Sequence, residues 1–217
     1  MEQSVMNETN GSLILNQVEQ QKSTGSTFVY NTDKPANIIK RPPQLLPLFN
    51  DSNPLLSKRV PEIDLTTPPS NLGEIAARLI DTMNHYGGAG LAANQCGVML
   101  RMFVLAGSMV IINPSILETS TETSREREGC LTYPGLILPV VRPTTVKVQF
   151  YDENLKLRTE TYTGATARVF QHEYDHLEGK VFTSKVGGLT LQMAKKKRQK
   201  MFKKIQRIVE YKQRMKG

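Results

Sequence analysis

An α+β domain, with strands packed round a histidine-bearing helix, is predicted by three features of this 217-residue sequence. Apolar residues at helical spacing come first, short β-like runs fill the middle, and a second helical stretch follows them. That order of elements suits a mixed layer arrangement. The chain is long enough to bury a substantial core, and 39% of its residues are apolar.

Residues 1–43 are rich in Asn, Gln, Ser and Thr without a sustained apolar period, which reads as a disordered extension. They lack the basic start and long apolar run of a secretory signal. Early Glu2, Glu8 and Glu19, with no arginine before Arg41, also weaken an organelle transit reading. Pro42-Pro43 marks the boundary, and Leu45 to Pro61 reads as extended chain with turns. A first helix is expected over Asn71 to Tyr86, where Leu72, Ile75, Ala76, Leu79, Ile80 and Met83 form one face. Pro68-Pro69-Ser70 precedes it and Gly87-Gly88 ends it.

Strands are expected over Met102 to Ala106, Val110 to Asn113, Thr145 to Tyr151 and Leu157 to Tyr162. Asp152-Glu153-Asn154 supplies hairpin turn chemistry between the last two. Ala165 to Glu178 is expected to be helical, with Gly179 as its cap. No apolar run approaches a membrane span, so no membrane is expected as a partner. Cys96 and Cys130 are too few for a disulfide framework, which favours a reducing compartment and leaves Cys130 free.

The formal charge of +8 is uneven. Residues 191–217 hold eleven Lys or Arg against the single acid Glu210, so the rest of the chain sums to −2. Met201, Phe202, Ile205, Ile208 and Val209 form a stripe on that basic stretch. The division expected is therefore 1–43 as extension, 44–187 as catalytic domain and 188–217 as a basic amphipathic helix.

His172-Glu173-Tyr174-Asp175-His176 carries the chemistry. Residues i and i+4 share a helix face, so His172 and His176 can grip one ion, and Glu173 beside them can serve as general base for a water. A chance helix with surface charges is the plainer reading of those five residues. A catalytic site of this kind wants a third protein ligand. Downstream of His176 there is no further His or Cys, whereas Cys130 stands upstream in a Glu-Gly-Cys-Leu turn. One Cys with two His suits Fe(II), Zn(II) or Ni(II).

Three motifs in order, Gly88 to Gln95, Glu128 to Leu131 and His172 to His176, resemble those of the peptide deformylase family. The resemblance covers roughly residues 45–185. It implies antiparallel strands around a central metal-binding helix, to which the apolar spacing adds an N-terminal helix and the basic C-terminal one. It implies Cys130, His172 and His176 as metal ligands, Glu173 as catalytic acid/base and Gln95 as the group stabilising the oxyanion. The backbone N–H of Leu131 can offer a second donor. Gly88 and Gly90 would let a backbone approach a substrate strand, so Gly88, Ala89, Gly90 and Glu128 are expected to bind substrate. The plainer reading of those glycines is a helix-ending loop.

Thr132 departs from the family pattern, which has serine after Glu-Gly-Cys-Leu; an altered loop edge is expected there. Arg142 is expected to pair with Glu128 or Asp175, against the reading of a solvated strand charge. Cys96 is expected to be a small buried residue and His85 a helix-end residue. The implied activity is removal of the N-formyl group from the initiator methionine of nascent polypeptides, with one divalent ion, Fe(II) first and Zn(II) or Ni(II) next.

A zincin-type metallopeptidase is the alternative within that chemistry. From another class, the alternative is a silent ribosome- or RNA-binding protein, against which the intact ligand set speaks. Of three uses for the basic helix, the resemblance to an enzyme of emerging chains ranks ribosomal RNA first, with packing on the domain second and anionic membrane last. A cytoplasmic monomer in a bacterium or a phage-infected cell is expected, with organelle import ranked lower.

Overall fold

The computed structural model describes residues 42–215, so the expected N-terminal extension lies outside the described residues except for Pro42 and Pro43. An extended strap leads in, interrupted by a 3-10 turn at Pro54–Ser57. It runs into α1, Leu72–His85, whose buried Leu72, Ala76, Leu79, Thr82 and Met83 recur every three or four residues.

Seven strands follow: β1 Gly90–Ala92, β2 Met102–Leu105, β3 Met109–Thr119, β4 Thr123–Glu128, β5 Leu138–Pro143, β6 Thr145–Tyr151 and β7 Leu157–Thr163. Then come α2, Gly164–Leu177, and the 27-residue α3, Gly188–Arg214. No helix of the described residues is long and apolar enough to cross a membrane.

Five strands pair antiparallel in the order β1-β2-β3-β6-β7, and β4 pairs with β5 in a separate ribbon. β2 shows how the layers stack, since all four of its residues are buried. Met102 and Val104 join the cluster built on Leu79 and Met83 of α1. Phe103 and Leu105 join Phe170 and Leu177 of α2. Alternate residues of a strand face opposite sides, so this sheet is covered by α1 on one face and α2 on the other. Phe170 meets Phe103 edge to face at 5.1 Å between ring centroids, and burying a side chain of that size contributes roughly 1.5–3 kcal/mol.

Two features of the strap position the site. Phe49 N–H donates to Gln95 O (2.8 Å) and Val60 N–H to Leu177 O (2.8 Å), which pins the strap to the 3-10 turn Ala93–Cys96 after β1 and to the end of α2. Gly179 turns the chain out of α2 at φ +66°, and a Cβ there would collide with the Ser57 carbonyl.

A third cluster of Tyr133, Leu136, Leu138, Val140 and Phe182 receives Leu191 and Ala194 of α3. Arg198 of α3 donates to Pro134 O (2.9 Å) and pairs with Asp51 of the strap (2.6 Å). The first half of α3 is thus packed on the body, as the second-ranked reading of the basic helix expected.

Candidate metal centre

α2 carries His172, Glu173 and His176, and the sheet covers it so that all three are buried. Cys130 follows β4 in a turn closed by Tyr133 N–H to Cys130 O (2.9 Å). That turn brings its sulfur onto α2. The ligand atoms of Cys130, His172 and His176 all lie within 4.8 Å of one another, with Cys130 Sγ 3.3 Å from His176 Nε2.

One ring nitrogen of His172 is already assigned. Its Nδ1 meets Glu128 Oε2 at 3.1 Å, which leaves Nε2 for the centre. Glu128 is held in turn by Arg142, whose Nε and Nη2 donate to the two carboxylate oxygens at 2.7 and 3.0 Å. Arg168 Nη1 donates to Oε1 at 2.6 Å. Burial works to raise the Glu128 pKa, but hydrogen bonds from His172 and Arg142 outweigh it and bring it to about 2. Arg142 also donates to Asp175 Oδ2 (2.7 Å), which Lys185 Nζ reaches at 3.0 Å. Arg142 therefore serves both expected partners at once and is buried, unlike a solvated strand charge.

These side chains fit a divalent cation. Burial lowers the pKa of both histidines. For His176 nothing offsets it, so that imidazole is neutral, as a ligand must be. For His172, hydrogen bonds to Cys130 and Glu128 outweigh burial and lift the value to about 10. The Glu128 carboxylate that favours a proton on that ring favours a metal ion in its place. Glu173 Oε2 and His176 Nδ1 are buried without a protein partner, whereas buried polar atoms in a closed core are paired as a rule.

Burial raises the Glu173 carboxyl to about 7, the range where it can take and return a proton. The backbone of β1 presses on it, since a Cβ on Gly90 would lie 2.7 Å from Glu173 Cγ. Gly88 is similarly filled by Leu131, whose Cδ1 would be 2.8 Å from an added Cβ. These glycines thus admit Glu173 and Leu131, with Ala89 exposed between them. The plainer loop reading does not hold at Gly90, which begins a paired strand.

Glu128 was expected to bind substrate, yet its carboxylate is spent on His172, Arg142 and Arg168. Its place is behind the ligand. Thr132 is not at a loop edge either: it is buried, and its hydroxyl accepts from Gln95 Nε2 at 2.9 Å.

Cys96 is buried, and burial, then Glu173, push its thiol up to about 12, which suits a packed residue and not a ligand. His85 ends α1, edge-on to the Tyr86 ring. Sequence reasoning missed Asn94, whose Nδ2 donates to His176 O (2.7 Å), and Arg168. Arg168 had a signal, since it lies one turn before His172 on the same helix face.

Residues 45–192 match the family model described as polypeptide deformylase. The peptide deformylase of Christiangramia forsetii is 37% identical over 191 residues, covering 78% of this chain and 95% of that protein. In structure, the peptide deformylase of Thermotoga maritima is similar with a TM-score of 0.63 at 35% identity, covering 66% of this chain and 98% of that one. That of Legionella pneumophila is similar with a TM-score of 0.68 at 32% identity, covering 75% and 97%.

Proposed function

This chain belongs to the peptide deformylase family, and from that premise we propose which of its residues perform each part of the reaction. The protein is a metal-dependent hydrolase that removes the N-formyl group from nascent peptides. The convergence of Cys130, His172 and His176 beside the buried Glu173 carries the assignment of roles.

When bound by those three ligands, a divalent ion supplies Lewis acidity, which lowers the pKa of water and polarises a carbonyl. Glu173 takes a proton from the attacking water and returns it to the departing amine, a task its value of about 7 suits. Gln95 Nε2 and the backbone N–H of Leu131 receive the charge that develops on the formyl oxygen. Glu128, held by Arg142 and Arg168, keeps His172 in one tautomer and one orientation. Gly88, Ala89 and Gly90 offer backbone to the substrate strand.

Fe(II) is the ion proposed, and the same donors accept Zn(II) or Ni(II). Residues 44–187 form the catalytic body in this reading, and α3 is an appended basic helix. Its cations extend beyond Arg198, the residue that ties it to Asp51, which supports docking on ribosomal RNA. Bacterial relatives such as that of Christiangramia forsetii support a bacterial setting; a cytoplasmic monomer, in a bacterium or a phage-infected cell, is the form proposed.

Formate release from an N-formylmethionyl peptide tests the roles. Glu173→Gln should keep a full complement of metal and lose turnover by ~10²–10⁴-fold, because it removes the base and no ligand. Near wild-type turnover in that variant would refute the assignment.

A further inference from the structure

Gln95 lies in a 3-10 turn, Ala93–Cys96, and its side-chain amide is held on three sides. Oε1 accepts from the Ala92 backbone N–H at 2.9 Å. Nε2 donates to Thr132 Oγ1 at 2.9 Å and approaches Cys130 Sγ at 3.4 Å. An amide nitrogen has two protons, so one goes to the hydroxyl and the other to the sulfur. The amide cannot be turned over, since its NH2 would then face the Ala92 N–H. The bond to Thr132 is ordinary in length and buried. The contact to sulfur has the ordinary length of an N–H···S bond and lies on the side of the metal ligands.

We propose that Thr132 is a positioning residue: its hydroxyl anchors one N–H of Gln95 and thereby aims the other at the metal centre. The anchored proton is unavailable to substrate. The second faces the region beside Cys130, where a formyl oxygen would gain charge, and a charged oxygen is a stronger acceptor for it than sulfur. The threonine methyl contributes as well. Two heavy atoms on Cβ restrict χ1, so Oγ1 stays on Gln95, whereas a serine hydroxyl at this position samples other rotamers. The departure from serine is therefore a stiffening of the oxyanion donor. This inference rests on the role given to Gln95 above.

The test uses the metal-loaded full-length protein and four variants: Gln95→Ala, Thr132→Val, Thr132→Ser and the Gln95→Ala/Thr132→Val pair. Metal content and the melting temperature are read beside kcat and KM on a formylmethionyl peptide. Removing an oxyanion donor costs ~10²–10³-fold in kcat, so misdirecting one through Thr132→Val should cost roughly 10–100-fold, with KM within about threefold. Thr132→Ser should recover most of that loss. In the Gln95→Ala background, Thr132→Val should add less than about twofold, because residues acting through one another are not additive.

Independent, multiplying losses in the pair would overturn the proposal. So would a wild-type kcat in Thr132→Val while Gln95→Ala is impaired. A wild-type Gln95→Ala would instead refute the role of Gln95 itself. If Thr132→Val does not load metal, Thr132→Ala replaces it, and its loss in kcat must likewise vanish once Gln95 is alanine.

Discussion

α2 and α3 are both amphipathic, yet nine of the fourteen residues of α2 are buried and none of the 27 in α3. Five of the nine are Arg168, His172, Glu173, Asp175 and His176. Charges stay inside where they meet another: Arg168, His172 and Asp175 do so through Glu128 and Arg142, whereas Glu173 and His176 avoid the cost by favouring their neutral forms. Desolvation then changes their chemistry, as the rise of Glu173 to about 7 shows. Apart from Arg198, the described cations of α3 are exposed, where charge serves long-range attraction. One helix has its polar residues tuned by burial, and the other keeps them generic by exposure.

The sharpest way to break the contrast is to remove a ligand that α2 depends on. Cys130→Ala should lose the metal, while Cys96→Ala, which alters a packed thiol beside Gln95, should keep it. Metal analysis of the two purified proteins decides, and full occupancy in Cys130→Ala would end the Cys-His-His assignment.

Next in size is the support behind the ligands. Arg142→Met leaves Glu128 and Asp175 short of a buried partner. Breaking such a pair costs about 3–5 kcal/mol, and losing the residue that orients a ligand lowers metal affinity by roughly 10–100-fold. Denaturant melts and metal competition would show both effects; neither would arise if the network were incidental.

The smallest effects belong to α3, and its two halves should differ. A protein ending before Lys203 keeps Leu191, Ala194 and Arg198, so its melting temperature and its turnover of a short formyl peptide should match the full chain. Its RNA affinity should fall, and the salt slope should become shallower by ~0.9 for each phosphate that the shortened helix leaves unneutralised. Ending before Gly188 should in addition expose the Tyr133–Phe182 cluster and cost roughly 1–2 kcal/mol. Salt-insensitive RNA binding by the full chain would show that the distal half acts through its apolar stripe instead.

The helices and the β6–β7 hairpin were legible because their signals are local. The expected Asn71 to Tyr86 and Ala165 to Glu178 correspond to Leu72–His85 and Gly164–Leu177. The missing strands have no local signal. β4 reads Thr-Ser-Arg-Glu-Arg-Glu and is a strand only because it pairs with β5. β1 is three residues long and is specified by β2 and by the press of Glu173 on Gly90. β3 was expected to stop at Asn113. It continues past Pro114 through a register shift between Ile112 and Ser115, with Asn113 at φ +47° absorbing the irregularity.

In the site, the motif residues were visible as motifs, and Arg142 as a candidate partner. The role of Glu128 was half visible, through Arg142 14 residues away; its bonds to Arg168 and His172 were hidden because they span 40 and 44 residues.

The tie between Arg198 and Asp51 spans 147 residues. Polypeptides are made from the N-terminus, so Asp51 emerges early and waits for nearly the whole catalytic body before its partner exists. The last metal ligand, His176, precedes Arg198 by more than twenty residues. Long loops close slowly and reward folding late. Cys130, His172 and His176 are therefore all synthesised before the tie at α3 can form.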